Sequence, residues 1–162
     1  MQKITPFLWF DHEAEEAVKF YTAIFKNSKV GRTLRYNDGA AKASGQPAGS
    51  VLTVEFEIEN GEFVALNGGP QFKFNESISF VVNCETQEEV DYYWQKLTAD
   101  GGEESACGWL KDRFGVSWQV TPTALIDMLH EKDAAKAERV MHAMLQMKKI
   151  DIAKLKAAYD GK

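Results

Sequence analysis

The sequence predicts an α+β fold of two βαβββ modules followed by a helical C-terminal tail. Three observations predict it. The helical stripe Ala17, Phe20, Tyr21 and Ile24 recurs as Val90, Tyr93, Trp94 and Leu97, each partner 73 residues later. The same order of elements, a strand, a helix and three strands, surrounds both stripes. Beyond Pro122 the strand pattern gives way to helical periodicity. A repeated unit is stronger evidence than any single element, because a sheet covered on one face must bury the other against a partner.

The elements follow in order. Ile4 to Phe10 is an apolar run of strand length. Asp11 is placed to cap the first helix, with Glu13, Glu15 and Glu16 where the helix dipole favours anions. Lys29 to Tyr36 reads as a strand, and Asn37-Asp38-Gly39 opens a loop running through Gly45, Pro47 and Gly49. From Val51 to Glu59 the alternation is clean: Leu52, Val54, Phe56 and Ile58 take one face, while Thr53, Glu55, Glu57 and Glu59 take the other. Asn60-Gly61 marks a hairpin, with Phe63 to Leu66 as the returning strand. Asn67-Gly68-Gly69-Pro70 ends that segment.

In the second series Ile78 to Cys84 is a strand and Thr86-Gln87-Glu88-Glu89 a capping box. Gly101-Gly102 ends the helix. Glu103 to Ala106 and Gly108 to Lys111 are short strands, Asp112 to Gly115 a turn, and Val116 to Thr121 the closing strand. Thr121-Pro122 supplies a cap and first helical residue. Leu125, Ile126 and Leu129 form one tail stripe, and Ala137, Val140, Met141 and Met144 another. Asp151 caps a last helix, with Ile150 and Leu155 as its hydrophobic staple. The expected organisation is a two-module domain over 1–122, with modules of about 1–74 and 75–122, and a helical extension over 123–162 that packs on the core or at a subunit interface.

Composition narrows the class of function. At 162 residues the chain suits one domain and needs no staple to bury a core. Two cysteines, Cys84 and Cys107, make no disulfide framework and no zinc spacing, and free thiols point to a reducing, cytoplasmic setting. The first residues, Met1 to Pro6, lack the pattern of a signal peptide, and no apolar run reaches membrane-spanning length. A net charge of −5 without a basic block argues against nucleic acid as partner.

Several stretches carry a family resemblance: Thr5-Pro6-Phe7-Leu8-Trp9-Phe10, Ala14-Glu15-Glu16-Ala17 through Phe20-Tyr21, Ala65-Leu66-Asn67-Gly68-Gly69-Pro70, Lys73-Phe74-Asn75, and Gly108-Trp109-Leu110-Lys111-Asp112-Arg113-Phe114-Gly115-Val116-Ser117-Trp118-Gln119. With the repeat, they make the sequence resemble the vicinal oxygen chelate superfamily of glyoxalase, bleomycin-resistance and dioxygenase proteins. More closely it resembles the PhnB-like group, often labelled 3-demethylubiquinone 3-methyltransferase-like. The resemblance implies paired modules whose sheets curve around a cleft, and a homodimer. It also implies where a divalent ion would sit in metal-dependent members, on the first and last strand of each module. Those positions fall at Pro6 (or Thr5), Ala65, Ser79 and Gln119. A slip of one residue offers Val64, Leu66, Trp118 or Val120. None brings an imidazole or carboxylate, and His12, His130 and His142 lie elsewhere. A methyl donor of the common kind needs a strand, a glycine-rich turn and a helix; the residues after Asn67-Gly68-Gly69-Pro70 do not read as a helix.

The expected function is therefore metal-independent binding of a small aromatic or amphiphilic molecule, with no cofactor. The alternative is an enzyme: a lyase or isomerase using Glu55, or a metal enzyme completed across a dimer. Glu55 is the candidate acid or base, since burial raises a carboxyl pKa. Trp9, Phe72, Phe74, Trp109 and Trp118 are either core or the walls of a pocket for a flat ligand, with Asn67 and Gln119 as uncharged hydrogen-bonding groups. Lys111 and Arg113 are surface charges or anion holders. Cys107 has no sequence neighbour that would activate it.

Overall fold

The computed structural model describes residues 2–162. Two compact units emerge, one ending at Phe74 and one running from Asn75 to Lys162.

The first unit contains β1 (Phe7–Phe10), α1 (Ala14–Ile24), β2 (Ser28–Arg35), α2 (Asp38–Ser44), β3 (Val51–Ile58) and β4 (Gly61–Asn67). The strands lie in the order β1-β4-β3-β2, with β1 parallel to β4 and the other pairs antiparallel. Period-two alternation sorts the side chains. Leu8, Phe10, Val54, Phe56 and Ala65 are buried on the face that α1 covers with Ala17, Val18 and Tyr21. The Tyr21 ring stacks on Phe56 at 6.1 Å. Burying each large side chain of this set stabilises the fold by about 1.5–3 kcal/mol. The opposite face, with Phe7, Trp9, Glu55, Glu57, Val64 and Leu66, is left partly open.

The second unit repeats this plan with β5 (Phe80–Cys84), α3 (Gln87–Leu97), β6 (Glu103–Glu104), β7 (Trp109–Lys111) and β8 (Ser117–Pro122). The order is β5-β8-β7-β6, and β5 runs parallel to β8. Val90, Trp94 and Leu97 of α3 are buried, as are Val82, Leu110 and Val120 of the sheet. Three helices follow: α4 (Thr123–Leu129), α5 (Ala134–Leu145) and α6 (Ile152–Asp160). They share a core of Leu125, Val140, Ile150 and Leu155. The link between α5 and α6 is tied to the rest of the unit through the backbone. Cys107 N–H donates to Met147 O at 2.8 Å, and Gly108 N–H donates to Lys148 O at 2.7 Å. The Gln87 amide bonds on both sides of Asp151, donating to Ile150 O at 3.1 Å and accepting from Ile152 N–H at 2.8 Å. Gly108 is needed here: its φ is +82°, and a Cβ would stand 2.8 Å from Val120 O.

The paired-module fold with C-terminal helices is thus observed, with local differences. The segment after Asn37 is not all loop: α2 forms because Asn37 Oδ1 accepts from Ala40 N–H at 2.8 Å, and Gly45 at φ +76° ends it. Asp11 does not cap α1. Its cap comes from a distant residue, Asn67, whose Oδ1 accepts from Ala14 N–H at 2.8 Å. In the hairpin the two positive-φ residues are Glu59 (+46°) and Asn60 (+65°), one position earlier than Asn60-Gly61. Thr86 does cap α3, while Glu89 accepts from Glu85 N–H rather than closing the box on Thr86. Pro122 ends β8 and stands before α4 instead of inside it. Ile78 lies outside β5 and is 73% exposed.

The thiols are set apart by environment. Burial pushes Cys84 up to about 12, with Glu89 adding to the shift. At pH 8 it therefore stays protonated and shielded. Iodoacetamide at that pH is expected to modify one thiol, Cys107, in the folded protein and both after denaturation. Modification of Cys84 in the native state would contradict this.

Candidate functional site

The open face of the first sheet is built row by row from strand register. Phe7 pairs with Val64 and Val64 with Glu55; Glu62 pairs with Glu57 and Glu57 with Lys29. Between the pairs Val30–Phe56 and Thr33–Val54, the two residues Gly31 and Arg32 oppose the single residue Glu55. This is a β-bulge, and a bulge re-aims a side chain. Gly31 sits tight on the Glu55 backbone, where a Cβ would lie 3.0 Å from Glu55 O. Arg32 is turned onto Glu55 in a two-pronged pair, Nε to Oε2 and Nη2 to Oε1, both 2.8 Å. Lys29 Nζ reaches Glu57 Oε1 at 3.0 Å. Together with Phe7 and Val64 these groups line a cavity of about 300 Å³.

Arg32 determines the chemistry of Glu55. Hydrogen bonds from its guanidinium, aided by its charge, hold the Glu55 carboxyl below the ordinary carboxylate range. Burial acts in the opposite direction and does not prevail: the side chain is 41% exposed. The raised pKa expected for an acid–base Glu55 is thus replaced by a lowered one, and the group is a carboxylate at neutral pH. Arg32 was not anticipated from sequence. Its signal was Gly31 interrupting a strand pattern, which marks a bulge or a close backbone approach.

The remaining candidates separate. Trp9 is half-buried on the open face, its indole N–H donating to Gly69 O at 2.9 Å and its ring meeting the Phe72 ring edge-on at 4.9 Å. Phe72 is 64% exposed, whereas Phe74 turns to Phe10 at 5.1 Å. Asn67 lies on the helix side, buried; besides capping α1 it donates from Nδ2 to Val51 O at 3.1 Å. Trp118 also lies in the core, where its indole N–H donates to Asp112 Oδ2 at 2.8 Å. These two are placed as structural groups, because strand alternation turns them away from the open faces. Trp109 and Gln119 are cross-strand neighbours on the open face of the second sheet, and Gln119 Nε2 donates to Ser79 Oγ at 2.9 Å. Lys111 pairs with Glu76, and Arg113 lies 3.9 Å from Asp100 and over the Phe114 ring. The residues thus form two sets, one on each sheet.

Neither a metal nor a methyl donor fits the residues present. Ala65 is fully buried on the helix side, so the open-face positions of β4 are Val64 and Leu66, which offer no ligand atom. Gln119 and Ser79 bond to each other. Among the described residues, no three His, Cys, Asp or Glu side chains are grouped to hold a metal ion. The glycine turn is likewise occupied: a Cβ at Gly68 would lie 2.3 Å from the Trp9 ring, so indole fills the space that backbone would offer a cofactor. No helix follows it before β5.

Two sheets, each covered by a helix on one face and repeating one strand order, define the class of the glyoxalase, bleomycin-resistance and dioxygenase proteins. Within it the chain belongs to the PhnB-like family, whose model, described as 3-demethylubiquinone-9 3-methyltransferase, matches residues 2–121. A PhnB protein from Bacillus cereus bearing that same description is 35% identical, with a TM-score of 0.66 over 75% of this chain and 100% of that one. A Pseudomonas aeruginosa protein of known crystal structure is 20% identical, with a TM-score of 0.59 over 75% of this chain and 98% of its own; it shares the fold. No curated protein matches the chain. No helix among the described residues is long and apolar enough to cross a membrane.

Proposed function

We propose that this protein binds a small aromatic or amphiphilic molecule without a metal ion. The observation that carries the reading is the cavity of about 300 Å³ on the open face of the first sheet. That volume lies at the lower end of the roughly 300–1,000 Å³ of small-molecule pockets. Its apolar part includes Phe7, Phe63 and Val64, and its charged part is the Lys29–Glu57 and Arg32–Glu55 pairs with the Glu62 carboxylate beside them. A ligand gains by covering Phe7, which is 59% exposed. Arg32, held in place by Glu55, serves as the rim group that orients a polar end, and Trp9 and Phe72 extend the apolar strip. The same reading takes the protein as a cytoplasmic homodimer, which the mass in solution tests.

Binding of 8-anilinonaphthalene-1-sulfonate, followed by fluorescence and thermal shift, tests the proposal. Saturable binding is expected to survive dialysis against EDTA. Filling the cavity with Val64→Trp is expected to weaken it about tenfold or more, as the loss of one large apolar contact implies. Glu55→Gln, which keeps the shape, is expected to leave the thermal shift in place. Binding that vanishes with EDTA and returns with added zinc or nickel would sink the metal-independent reading. Binding unaffected by Val64→Trp would sink the location.

A further inference from the structure

We propose that the helical tail is a reversible, peroxide-responsive element. A hydroperoxide oxidises Met128, Met144 and Met147 to sulfoxides, and the tail core then lets go of the link between α5 and α6. The residues involved are separate from those of the first-sheet cavity, so the two proposals fail separately.

The placement of methionine carries this inference. Of the five methionines in the chain, four fall between positions 128 and 147, and residues 2–127 contain none. The tail core is Leu125, Val140, Ile150 and Leu155; Met128, Met144 and Met147 pack against it together with Leu129, Ala143 and Tyr159. Half of the partly buried apolar side chains around this core are therefore thioethers. Leucine fills a similar volume at little cost, so apolar packing alone does not call for methionine at three of these positions. What methionine adds is a polarisable sulfur that oxidants attack.

Position decides what oxidation does. Met128, Met144 and Met147 are each partly buried, open enough for a small oxidant to arrive and packed enough for the added oxygen to matter. Met141, also on α5, is 42% exposed and lies outside the core packing. Its sulfoxide points to water and changes little. Met144 and Met147 flank the turn that ends α5, where Met147 N–H donates to Met144 O at 3.0 Å. The same turn leads into the backbone ties to the second module, in which Met147 O accepts from Cys107 N–H and Lys148 O from Gly108 N–H. Loss of packing at these two side chains therefore acts on the segment that fastens the tail.

The step balances at the sulfur. A thioether lone pair attacks one oxygen of the hydroperoxide, so that an S–O bond forms as the O–O bond breaks. The departing oxygen takes up the hydroperoxide proton and leaves as water or an alcohol. Sulfur loses two electrons and the peroxide gains them. A dithiol reductant reverses the change: the sulfoxide oxygen leaves as water, and the two thiols close to a disulfide. The product side chain is polar, and a polar group held in an apolar core is unfavourable without a hydrogen bond. Opening of the tail brings the S–O group to water, so each sulfoxide shifts the local opening equilibrium about tenfold. Neither sheet carries a methionine, so the modules lie outside this chemistry.

Hydrogen peroxide treatment of the full chain carrying Cys107→Ser, which removes the accessible thiol, tests the proposal by peptide mass and amide hydrogen exchange. Oxidation at Met128, Met144 and Met147 is expected to speed exchange at least tenfold across α5, α6 and the amides of position 107 and Gly108. The strands of both sheets are expected to keep their protection. Methionine sulfoxide reductase with dithiothreitol is expected to restore the tail. With Met128→Leu, Met144→Leu and Met147→Leu combined, the same treatment is expected to leave exchange unchanged, whereas Met141→Leu responds as the parent does. Each single leucine variant is expected to remove part of the response, which keeps the test valid if the triple variant packs poorly. Three sulfoxides with unchanged tail exchange would overturn the proposal, as would equal loss of protection in the leucine variants. Core methionines that stay reduced when Met141 is fully oxidised, or a loss that the reductase does not reverse, would also overturn it.

Discussion

Asp112→Ala is expected to lower the free energy of unfolding by about 3–5 kcal/mol, the largest effect of any single polar substitution in the second unit. The carboxylate is 2% exposed and serves as a hub. Its Oδ1 accepts from Phe114 N–H at 2.9 Å and Val116 N–H at 3.1 Å, and its Oδ2 accepts from Trp118 Nε1 at 2.8 Å. Alanine strands three donors, two of them in buried bonds, and each buried donor left unmet costs about 1–3 kcal/mol. In a domain of this size the loss corresponds to roughly 10 °C in melting temperature. Asp112→Asn keeps one carbonyl oxygen and is expected to recover part of the loss. Urea denaturation measures both, and a loss below about 1 kcal/mol for alanine would show that the loop does not depend on this carboxylate.

Gly68→Ala is the second large effect. The new methyl would lie 2.3 Å from Trp9 Cε2 and Cζ2 and 2.7 Å from Cδ2, so the indole must move. Movement breaks its bond to Gly69 O and its edge contact with Phe72. Overpacking costs about 1–3 kcal/mol and the lost hydrogen bond about 1 kcal/mol more, so a total near 3 kcal/mol is expected. Gly45→Ala is the control. Nothing lies within 4 Å of its added carbon, and only the left-handed backbone at φ +76° is penalised, by about 1 kcal/mol. The indole N–H resonance of Trp9 reports the displacement directly. An unshifted resonance with parent stability in Gly68→Ala would show that Trp9 is not seated on this glycine.

Much of the fold was legible because it rests on periodicity and repetition. The stripes of α1 and α3 and the alternation of β3 are properties of neighbouring residues, and neighbouring residues decide which face is apolar. The capping by Thr86 and Asp151 was legible for the same reason, since each side chain reaches a backbone N–H three residues on. The site was much less legible. Asn67 and Trp118 look like ligand groups in a list of polar and aromatic residues near strand ends. Their faces depend on register, and one residue of register reverses the face of every side chain in a strand. Arg32 was not legible because a bulge, formed opposite a strand beginning some twenty residues later, turns it onto Glu55.

By itself the sequence determined the family, the module repeat, the order of elements and that no imidazole or carboxylate stands at the four positions the resemblance implies for a metal. Each of these is set by residue identity and local spacing. Only the tertiary structure decided that Glu55 is held as a carboxylate, that Asn67 caps a helix 53 residues away, and that Ser117 lies buried without a partner. Those outcomes depend on contacts between segments far apart in the chain. Such contacts change the solvation and charge of a group, which its own neighbours in sequence do not reveal.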